Sequence, residues 1–221
     1  MKIKTFLRNV YAPLTAVLLA GNAGANIIIY NGLEGGSGDV ENVLYNDFSG
    51  QQGTTVQGSL NQSSALVNFT STDVLITPPG GQARIEALDG SLTDLSIELA
   101  DTTLGFGKIQ FNIDAASNGS ATLSFWDQFG GLFSGNYSLK KKGQNFFTAI
   151  AYDDQVIVRA KIDSSVALTA ISDVQQVRLG TVPRTDGPPP TVAEPGTLSL
   201  VALGLAMMAF AIRRRAGALA R

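Results

Sequence analysis

The sequence predicts an all-β domain, an antiparallel β-sandwich of jelly-roll type, with a partly open barrel as the alternative arrangement. Three observations favour this class. Apolar and polar residues alternate over short segments between positions 43 and 179. Turn-forming residues interrupt these segments about every ten positions, and helical periodicity is nearly absent. About ten strands must close on themselves or stack as two sheets, since only then are their apolar faces buried.

The alternation places individual strands along the domain. Residues 95–99 and 109–113 each present three apolar side chains on one face and polar side chains on the other. In residues 156–162 the even-numbered side chains are predicted to share one face, and the odd-numbered ones, including Ile157 and Arg159, the opposite face. Such patterns are typical of half-buried antiparallel strands.

Three dipeptides predict turns between these strands. They are Asp89-Gly90, Asn118-Gly119 and Asp153-Asp154. Aspartate, asparagine and glycine tolerate the backbone angles of tight turns, so each dipeptide is expected to join its two flanking strands as a hairpin.

Composition limits the chemistry of the domain. The chain has 221 residues, with 16 lysine and arginine against 18 aspartate and glutamate residues. Seven of the basic residues lie in two terminal segments, so the remaining domain carries a net charge near −9. An acidic surface argues against nucleic acid as a partner, because phosphate contacts need lysine and arginine. The absence of histidine and cysteine argues against zinc, haem, a serine–histidine pair and disulfides, and no cofactor is predicted.

The N terminus has the three parts of a secretory signal peptide, predicted over residues 1–25. A positively charged segment precedes a mostly apolar run at residues 10–19, and a small-residue cleavage site with Ala23 and Ala25 follows. A membrane anchor is the alternative, but a run of about ten residues is too short to span a bilayer. The Sec translocon and signal peptidase are therefore predicted partners. The charged residues are Lys2, Lys4 and Arg8.

The C terminus also has three parts. Glu194 and Pro195 precede an uncharged apolar run over residues 196–212, and an arginine cluster follows the run. At a helical rise of about 1.5 Å per residue the run reaches roughly 25 Å, the lower limit for crossing a hydrocarbon core of about 30 Å. The arginines would hold their end in the cytoplasm, so the domain would face outward. They are Arg213, Arg214 and Arg215.

This order of segments resembles the sorting signal of the PEP-CTERM proteins of Gram-negative bacteria. The motif here reads Ala193, Glu194 and Pro195, with alanine where the family has its first proline. The resemblance implies that exosortase, a membrane protease-transpeptidase, recognises the tail and removes the helix. It also implies a transient stay in the inner membrane, a final place at the cell surface or in the extracellular matrix, and an association with extracellular polysaccharide and biofilm.

Two other interpretations of the apolar C-terminal run are an ordinary membrane anchor and a buried helix of the core. A core helix would need polar positions on one face, and residues 198–212 offer only Ser199 and glycine. The predicted organisation is therefore a signal peptide (1–25), a β-sandwich domain (26–180), a proline-rich linker (181–192) and the sorting signal (193–221).

Trp126 and Tyr137 are the candidate residues for contact with carbohydrate. Aromatic rings can stack on sugar rings, and several phenylalanines lie near these two residues in sequence. If Leu123 and Phe125 face the core, Trp126 lies on the opposite face of its strand. Packing in the core, in a loop or at a sheet edge is the alternative role for both.

Three clusters of charged residues also have simple structural interpretations. The lysines at 140–142 could contact an anionic polysaccharide, although a soluble hairpin tip would also explain them. Asp153 with Asp154, and Asp39 with Glu41, offer carboxylates for calcium, but their spacing matches no complete calcium loop. Turns favour aspartate, so no metal site is predicted.

No catalytic residue is predicted. A glycosidase needs two carboxylates about 5 to 9 Å apart across a cleft. Glu86, Glu98 and Asp127 instead alternate with apolar residues, as solvated strand faces do, and no Gly-x-Ser-x-Gly motif occurs. The sequence favours a non-enzymatic exported surface or matrix protein. A carbohydrate-binding module is the alternative, and a glycoside hydrolase is the third and least favoured reading.

Overall fold

The computed structural model describes residues 27–36, 38–79, 81–141, 143–169 and 174–184. Within this part of the chain there are twelve β-strands and no helix. The strands are β1 (Ile27–Asn31), β2 (Glu41–Leu44), β3 (Gln52–Leu60), β4 (Leu66–Ile76), β5 (Arg84–Ala87), β6 (Ser91–Leu99), β7 (Leu104–Ile113), β8 (Gly119–Asp127), β9 (Leu132–Leu139), β10 (Asn145–Ala151), β11 (Ile157–Thr169) and β12 (Val174–Pro183).

Seven strands close into a ring. Their order is β7-β12-β2-β3-β4-β6-β11, and β11 pairs back to β7 through Ile157 and Phe106. The strands pair antiparallel, so the prediction of an all-β antiparallel domain is confirmed. The sandwich is not confirmed, because the described strands form one connected sheet that closes as a barrel. Strand β5 lies off the ring path and pairs with β12 and β4.

Two pairs of strands extend beyond the closure of the ring. Strands β10 and β1 continue from β7, and β8 and β9 continue from β11. The facing sides of these two flaps pack through aromatic rings, because the centroids of Tyr137 in β9 and Phe147 in β10 lie 5.3 Å apart. Phe147 also packs against Phe111 of the ring strand β7, with centroids 5.9 Å apart. The Tyr137 hydroxyl also donates to the Ile29 carbonyl at 3.5 Å, which links β9 to β1.

Apolar side chains fill the core. Val67 and Phe69 of β4 and Leu95 and Ile97 of β6 are buried, while the residues between them are partly exposed. This alternation confirms the pattern predicted over residues 95–99. The largest fully buried side chains are Tyr45, Phe69, Phe106, Phe111, Phe125 and Phe147. The barrel interior is therefore a packed core, as expected for a small barrel.

A β-bulge at Val158 changes which side chains of β11 face the core. Ile157 pairs with Asp127 and Arg159 pairs with Trp126, so Val158 has no cross-strand partner in β8. Because one extra residue shifts the alternation of faces, Ile157 is fully buried whereas Arg159 is exposed. The prediction that these two residues share a face is wrong, since it assumed an unbroken period of two.

The three predicted turns lie between strands, but none of them closes a hairpin. Asp89-Gly90 joins β5 to β6, Asn118-Gly119 lies where β7 leads into β8, and Asp153-Asp154 joins β10 to β11. The two strands at each turn pair with other partners. The turn residues determine where each strand ends, whereas the order of strands in the ring determines which strand it pairs with. Tight hairpins instead join β3 to β4 and β8 to β9.

Strand β12 extends past the predicted end of the domain. It runs to Pro183 along β7, and Arg184 then donates its backbone N–H to the Thr103 carbonyl at 2.9 Å. Proline is tolerated at this strand end, where it removes only one donor. Residues 181–184 therefore belong to the barrel, which corrects the predicted linker boundary of 181–192.

Gly105 permits the close approach of β7 and β11 at the closure. A Cβ atom at Gly105 would overlap Val156 Cγ1 and would lie 2.7 Å from the Ile157 carbonyl oxygen. Gly107 in the same strand has more room, because its Cβ would lie 3.6 Å from Val182 Cγ1, an ordinary van der Waals distance. The two glycines therefore differ in what a methyl group would meet.

We expect Gly105→Ala to destabilise the domain by about 2 kcal/mol, because the added methyl group must displace strand backbone. The melting temperature should fall by roughly 4 to 8 °C. Urea denaturation followed by the fluorescence of Trp126, the single tryptophan of the chain, measures the change. Gly107→Ala is the matched control, with an expected change within about 1 kcal/mol. Equal losses in the two variants would contradict the closure argument.

Tyr45 has a buried hydroxyl group. Its ring packs edge-on against Phe69, with centroids 6.1 Å apart, and its hydroxyl oxygen has no hydrogen-bond partner among the described residues. Burial raises the pKa of the Tyr45 phenol far above its ordinary value of about 10, and the Glu86 carboxylate raises that pKa further. The phenol therefore stays neutral in the folded chain at alkaline pH.

The folded-state pKa of the Tyr45 phenol lies above its unfolded-state pKa of about 10. Its contribution to stability is therefore complete below about pH 10 and is progressively lost as the pH rises above that value. Tyr45→Phe should therefore lose less stability between pH 9 and pH 11 than the parent chain, as measured by urea denaturation. At neutral pH the variant should be at least as stable as the parent, because it removes an unpaired buried hydroxyl. A destabilised Tyr45→Phe at neutral pH would indicate an unrecognised hydroxyl partner.

Candidate functional site

Trp126 lies on the outer face of β8. Leu123 and Phe125 are fully buried, so the condition for an outward tryptophan is met. The Trp126 side chain is half-buried because Arg159 of β11 covers its ring, with the guanidinium carbon 4.6 Å from the ring centroid. Arg159 also contacts Glu98, with Nε and Oε1 3.4 Å apart. One ring face of Trp126 is thus engaged within the protein.

These residues belong to a row that crosses six strands on the outer surface. Register places Leu132 beside Trp126, Glu98 beside Asn68, and Asn68 beside Gln57. The Gln57 amide donates to Asn68 Oδ1 at 2.8 Å. We call this set the outer row. It consists of Leu132, Trp126, Arg159, Glu98, Asn68 and Gln57.

Tyr137 is not part of the outer row. It pairs with Ala121, and this pair lies on the side of β8 and β9 that also carries Leu123 and Phe125. Trp126 occupies the opposite side of β8. The structure therefore places the two candidate carbohydrate contacts on opposite faces of the sheet, and Tyr137 is partly buried against the core.

The basic cluster and the paired aspartates occupy turns. The backbone N–H groups of Lys140 and Lys141 donate to the side-chain oxygens of Asn145 and Asn118, both at 2.9 Å. The two residues of the β10–β11 turn, 153–154, are exposed and have left-handed backbone angles, with φ of 55° and 60°. The exposed left-handed turn fits the turn interpretation of the paired aspartates. The lysines lie in the connection from β9 to β10, and these two strands pair with other partners, so the predicted hairpin tip is wrong.

Asp39 and Glu41 have separate partners. Asp39 contacts Lys108, whereas Glu41 Oε2 accepts the backbone N–H groups of Gln62 and Ser63, both at 2.7 Å. Within the described ranges, no group of three or more acidic, histidine or cysteine side chains could hold a metal ion.

The acidic residues weighed for hydrolase chemistry each contact other groups. Glu86 lies 3.8 Å from Arg84, and Glu98 contacts Arg159. Asp127 is buried at the β8–β9 turn and accepts three hydrogen bonds. The donors are Phe129 N at 2.9 Å, Gly131 N at 2.6 Å and Gln155 Nε2 at 2.8 Å. The role of Asp127 seen here is to tie this turn to the β10–β11 connection.

Lys108 is the charged residue that sequence reasoning missed. Its side chain is buried, and Nζ donates to the Gly35 and Gly36 carbonyls and to Asp39 Oδ1 at 2.9 to 3.0 Å. Gln110, two positions along β7, donates to the Glu34 and Gly36 carbonyls. The glycine-rich stretch therefore folds over the outer face of β7. The signal available in the sequence was a glycine-rich stretch whose carbonyls needed donors.

Several predicted site residues lie outside the described part of the chain. They are Ala23 and Ala25 of the signal peptide, Ala193, Glu194 and Pro195 of the sorting motif, and Arg213, Arg214 and Arg215. Among the residues that the structure does describe, no helix has the length and apolar character needed to span a membrane.

Comparison with known proteins assigns no family to this chain. No family model and no curated protein matches the chain. Among solved structures, the enzymatically active domain of tailspike protein 4 from bacteriophage CBA120 is similar over 72% of this chain, with 18% identity and a TM-score of 0.24. The match spans only 20% of that protein. A score this low supports no argument about fold or function.

We expect Lys108→Met to destabilise the domain by about 2 to 3 kcal/mol, because three hydrogen bonds from one buried charged donor are lost. Urea denaturation measures this loss. Lys161→Met is the matched control: Lys161 contacts Asp163 at 2.7 Å, but both side chains are partly exposed, and such pairs contribute less than about 1 kcal/mol. A Lys108→Met variant as stable as Lys161→Met would contradict the anchoring role of Lys108.

Proposed function

We propose that this chain is a non-enzymatic exported protein of the cell surface or extracellular matrix, and that an exosortase-type membrane protease processes its C-terminal sorting signal. The observation that carries the proposal is the order of segments in the tail, where Glu194 and Pro195 precede an uncharged apolar run and an arginine cluster. In this proposal the N-terminal segment is a Sec signal peptide and the apolar run is a transmembrane helix that holds the protein in the inner membrane until processing.

The fold of the described residues is compatible with removal of both terminal segments. Strand β1 begins at Ile27, which is buried and pairs with Ala151 of β10. Cleavage after Ala25 would leave this strand complete. At the other end, the Arg184 backbone N–H is hydrogen-bonded to the barrel. About ten residues separate Arg184 from Glu194, and as a proline-rich extended chain of about 3.1 Å per residue they would hold the barrel roughly 30 Å from the processing site.

The net charge of the domain and the contacts of its weighed acidic side chains support a surface protein without enzymatic activity. A net charge near −9 outside the terminal segments favours solubility and disfavours nucleic acid as a partner. The weighed acids contact arginines or backbone N–H groups of the barrel, as expected for structural carboxylates. In the family that the tail resembles, this kind of protein accompanies extracellular polysaccharide and biofilm, which we propose as its setting.

A carbohydrate-binding module is the second candidate function. The outward position of Trp126 favours it, since Trp126 lies in the outer row beside Leu132, whose side chain is more than half exposed. It ranks second because Arg159 covers one face of the indole ring, so a sugar would have to displace Arg159 or stack on the other face.

Mass analysis of the mature protein tests the proposal. In cells with exosortase, we expect a mass that lacks residues 1–25 and everything beyond the region of Glu194 and Pro195. In cells without exosortase, the tail should remain. Glu194→Ala should leave the tail attached, whereas Thr191→Ala in the adjacent linker should be processed normally. A tail that remains attached in both strains would overturn the sorting assignment.

A further inference from the structure

A polar cleft of about 330 Å³ lies on the outer wall of the ring, between the β4–β5 connection and β12. Val174 and Ile85 pair and are buried, so the neighbouring pair of Gln175 and Arg84 faces outward. The volume is at the lower end of the roughly 300 to 1,000 Å³ typical of small-molecule sites. The polar and proline side chains that line it are Pro78, Pro79, Gln82, Arg84, Gln175 and Gln176.

Hydrogen bonds fix the walls of the cleft. Asn42 Oδ1 accepts from Gln82 Nε2 and from Arg178 Nε, both at 3.0 Å, and so ties the β4–β5 connection to β12. The backbone N–H of Ala83 donates to the Val43 carbonyl at 2.7 Å. Because these bonds are made within the protein, the walls of the cleft are preorganised, and binding would cost little ordering of them.

A β-bulge directs a second glutamine toward the cleft. Strand β12 pairs with β7 through Gln175 and again from Arg178, which leaves Gln176 and Val177 in the bulge. Val177 is fully buried, and Gln176 has a left-handed backbone with φ of 56°. Non-glycine residues seldom adopt this conformation, and it recurs at ligand sites, where bulges also redirect side chains.

The cleft offers free hydrogen-bonding groups and little net charge. Among the described residues, the side chains of Gln175 and Gln176 have no hydrogen-bond partner. Each amide carries two donors and an acceptor oxygen. Arg84 lies 3.8 Å from Glu86, so its charge is partly balanced. The two adjacent prolines supply apolar ring surface beside these polar groups.

We propose that this cleft binds one uncharged sugar unit of a glycan. A sugar ring presents hydroxyl groups at its edge, each both donor and acceptor, and apolar C–H groups on its faces, which match the glutamine amides and the proline rings. A phosphate or carboxylate would call for unpaired cations, whereas Arg84 already faces Glu86. The cleft shares no residue with the outer row, and the proposed sorting of the chain neither requires nor excludes it.

Saturation-transfer NMR on the full-length chain tests the proposal. The chain is held in a zwitterionic detergent without sugar headgroups, and the probes are the methyl glycosides of glucose, galactose, mannose and N-acetylglucosamine, with glucuronic acid for comparison. We expect saturable binding of at least one neutral glycoside. Gln176→Gly should weaken it about tenfold, the size expected when one side chain's hydrogen bonds are lost. Glycine accommodates the left-handed backbone, so this variant keeps its fold.

Ser64→Gly is the matched control. Ser64 is also left-handed, with φ of 59°, but lies in the β3–β4 turn, so binding should be unchanged. The proposal is overturned if no neutral glycoside binds, if glucuronic acid binds more tightly than all of them, or if Trp126→Ala abolishes binding while Gln176→Gly leaves it intact. The result of the binding experiment has no bearing on the tail processing measured by mass analysis. The proposal of a sugar site and the proposal of exosortase processing can therefore fail independently.

Discussion

The closure of the ring between Ile157 and Phe106 is the contact on which the rest of the architecture depends. At that point one edge of β7 pairs with β11, and a few residues later the same edge pairs with β10. Gly105 lets the two backbones meet, and the bulge at Val158 turns Ile157 inward and Arg159 outward. The flaps diverge from this junction and are held together by aromatic packing. A methyl group at the closure would therefore disturb the ring and both flaps together.

The cover over β7 is a second constraint, and it explains a burial pattern that alternation did not predict. Residues 109–113 were expected to be half-buried, yet all five are buried. The polar face of β7 is covered by the glycine-rich stretch, whose carbonyls accept hydrogen bonds from Lys108 and Gln110. Burying a lysine costs free energy unless its charge is solvated by other groups. Here two carbonyls and one carboxylate replace water around Nζ.

Local patterns predicted what lies within one strand, and they failed where two distant segments meet. The alternation of Leu95 and Ile97 and the outward position of Trp126 followed from the period of two. The opposite placement of Tyr137 did not, because it depends on the register of β9 against β8. The three predicted hairpins were wrong for the same reason, because a turn dipeptide does not determine the order of strands in the ring. The bulge at Gln176 and the cleft beside it require β5 and β12, which are remote in sequence, to pair.

The packed interior constrains where any ligand could bind. Aromatic and aliphatic side chains fill the ring, among them Phe69 and Phe106, which are fully buried. A barrel of this size has space for side chains or one small ligand, and here the side chains take that space. Recognition by the described part of the domain must therefore use its surface.

That surface includes the outer row around Trp126 and the cleft beside Gln176. In the outer row, the Trp126 ring and the Arg159 guanidinium engage each other, whereas the Gln175 and Gln176 amides have no partner within the described residues. Displacing existing contacts costs binding free energy that the glutamine amides do not require, so a sugar would bind in the cleft at lower cost than on Trp126.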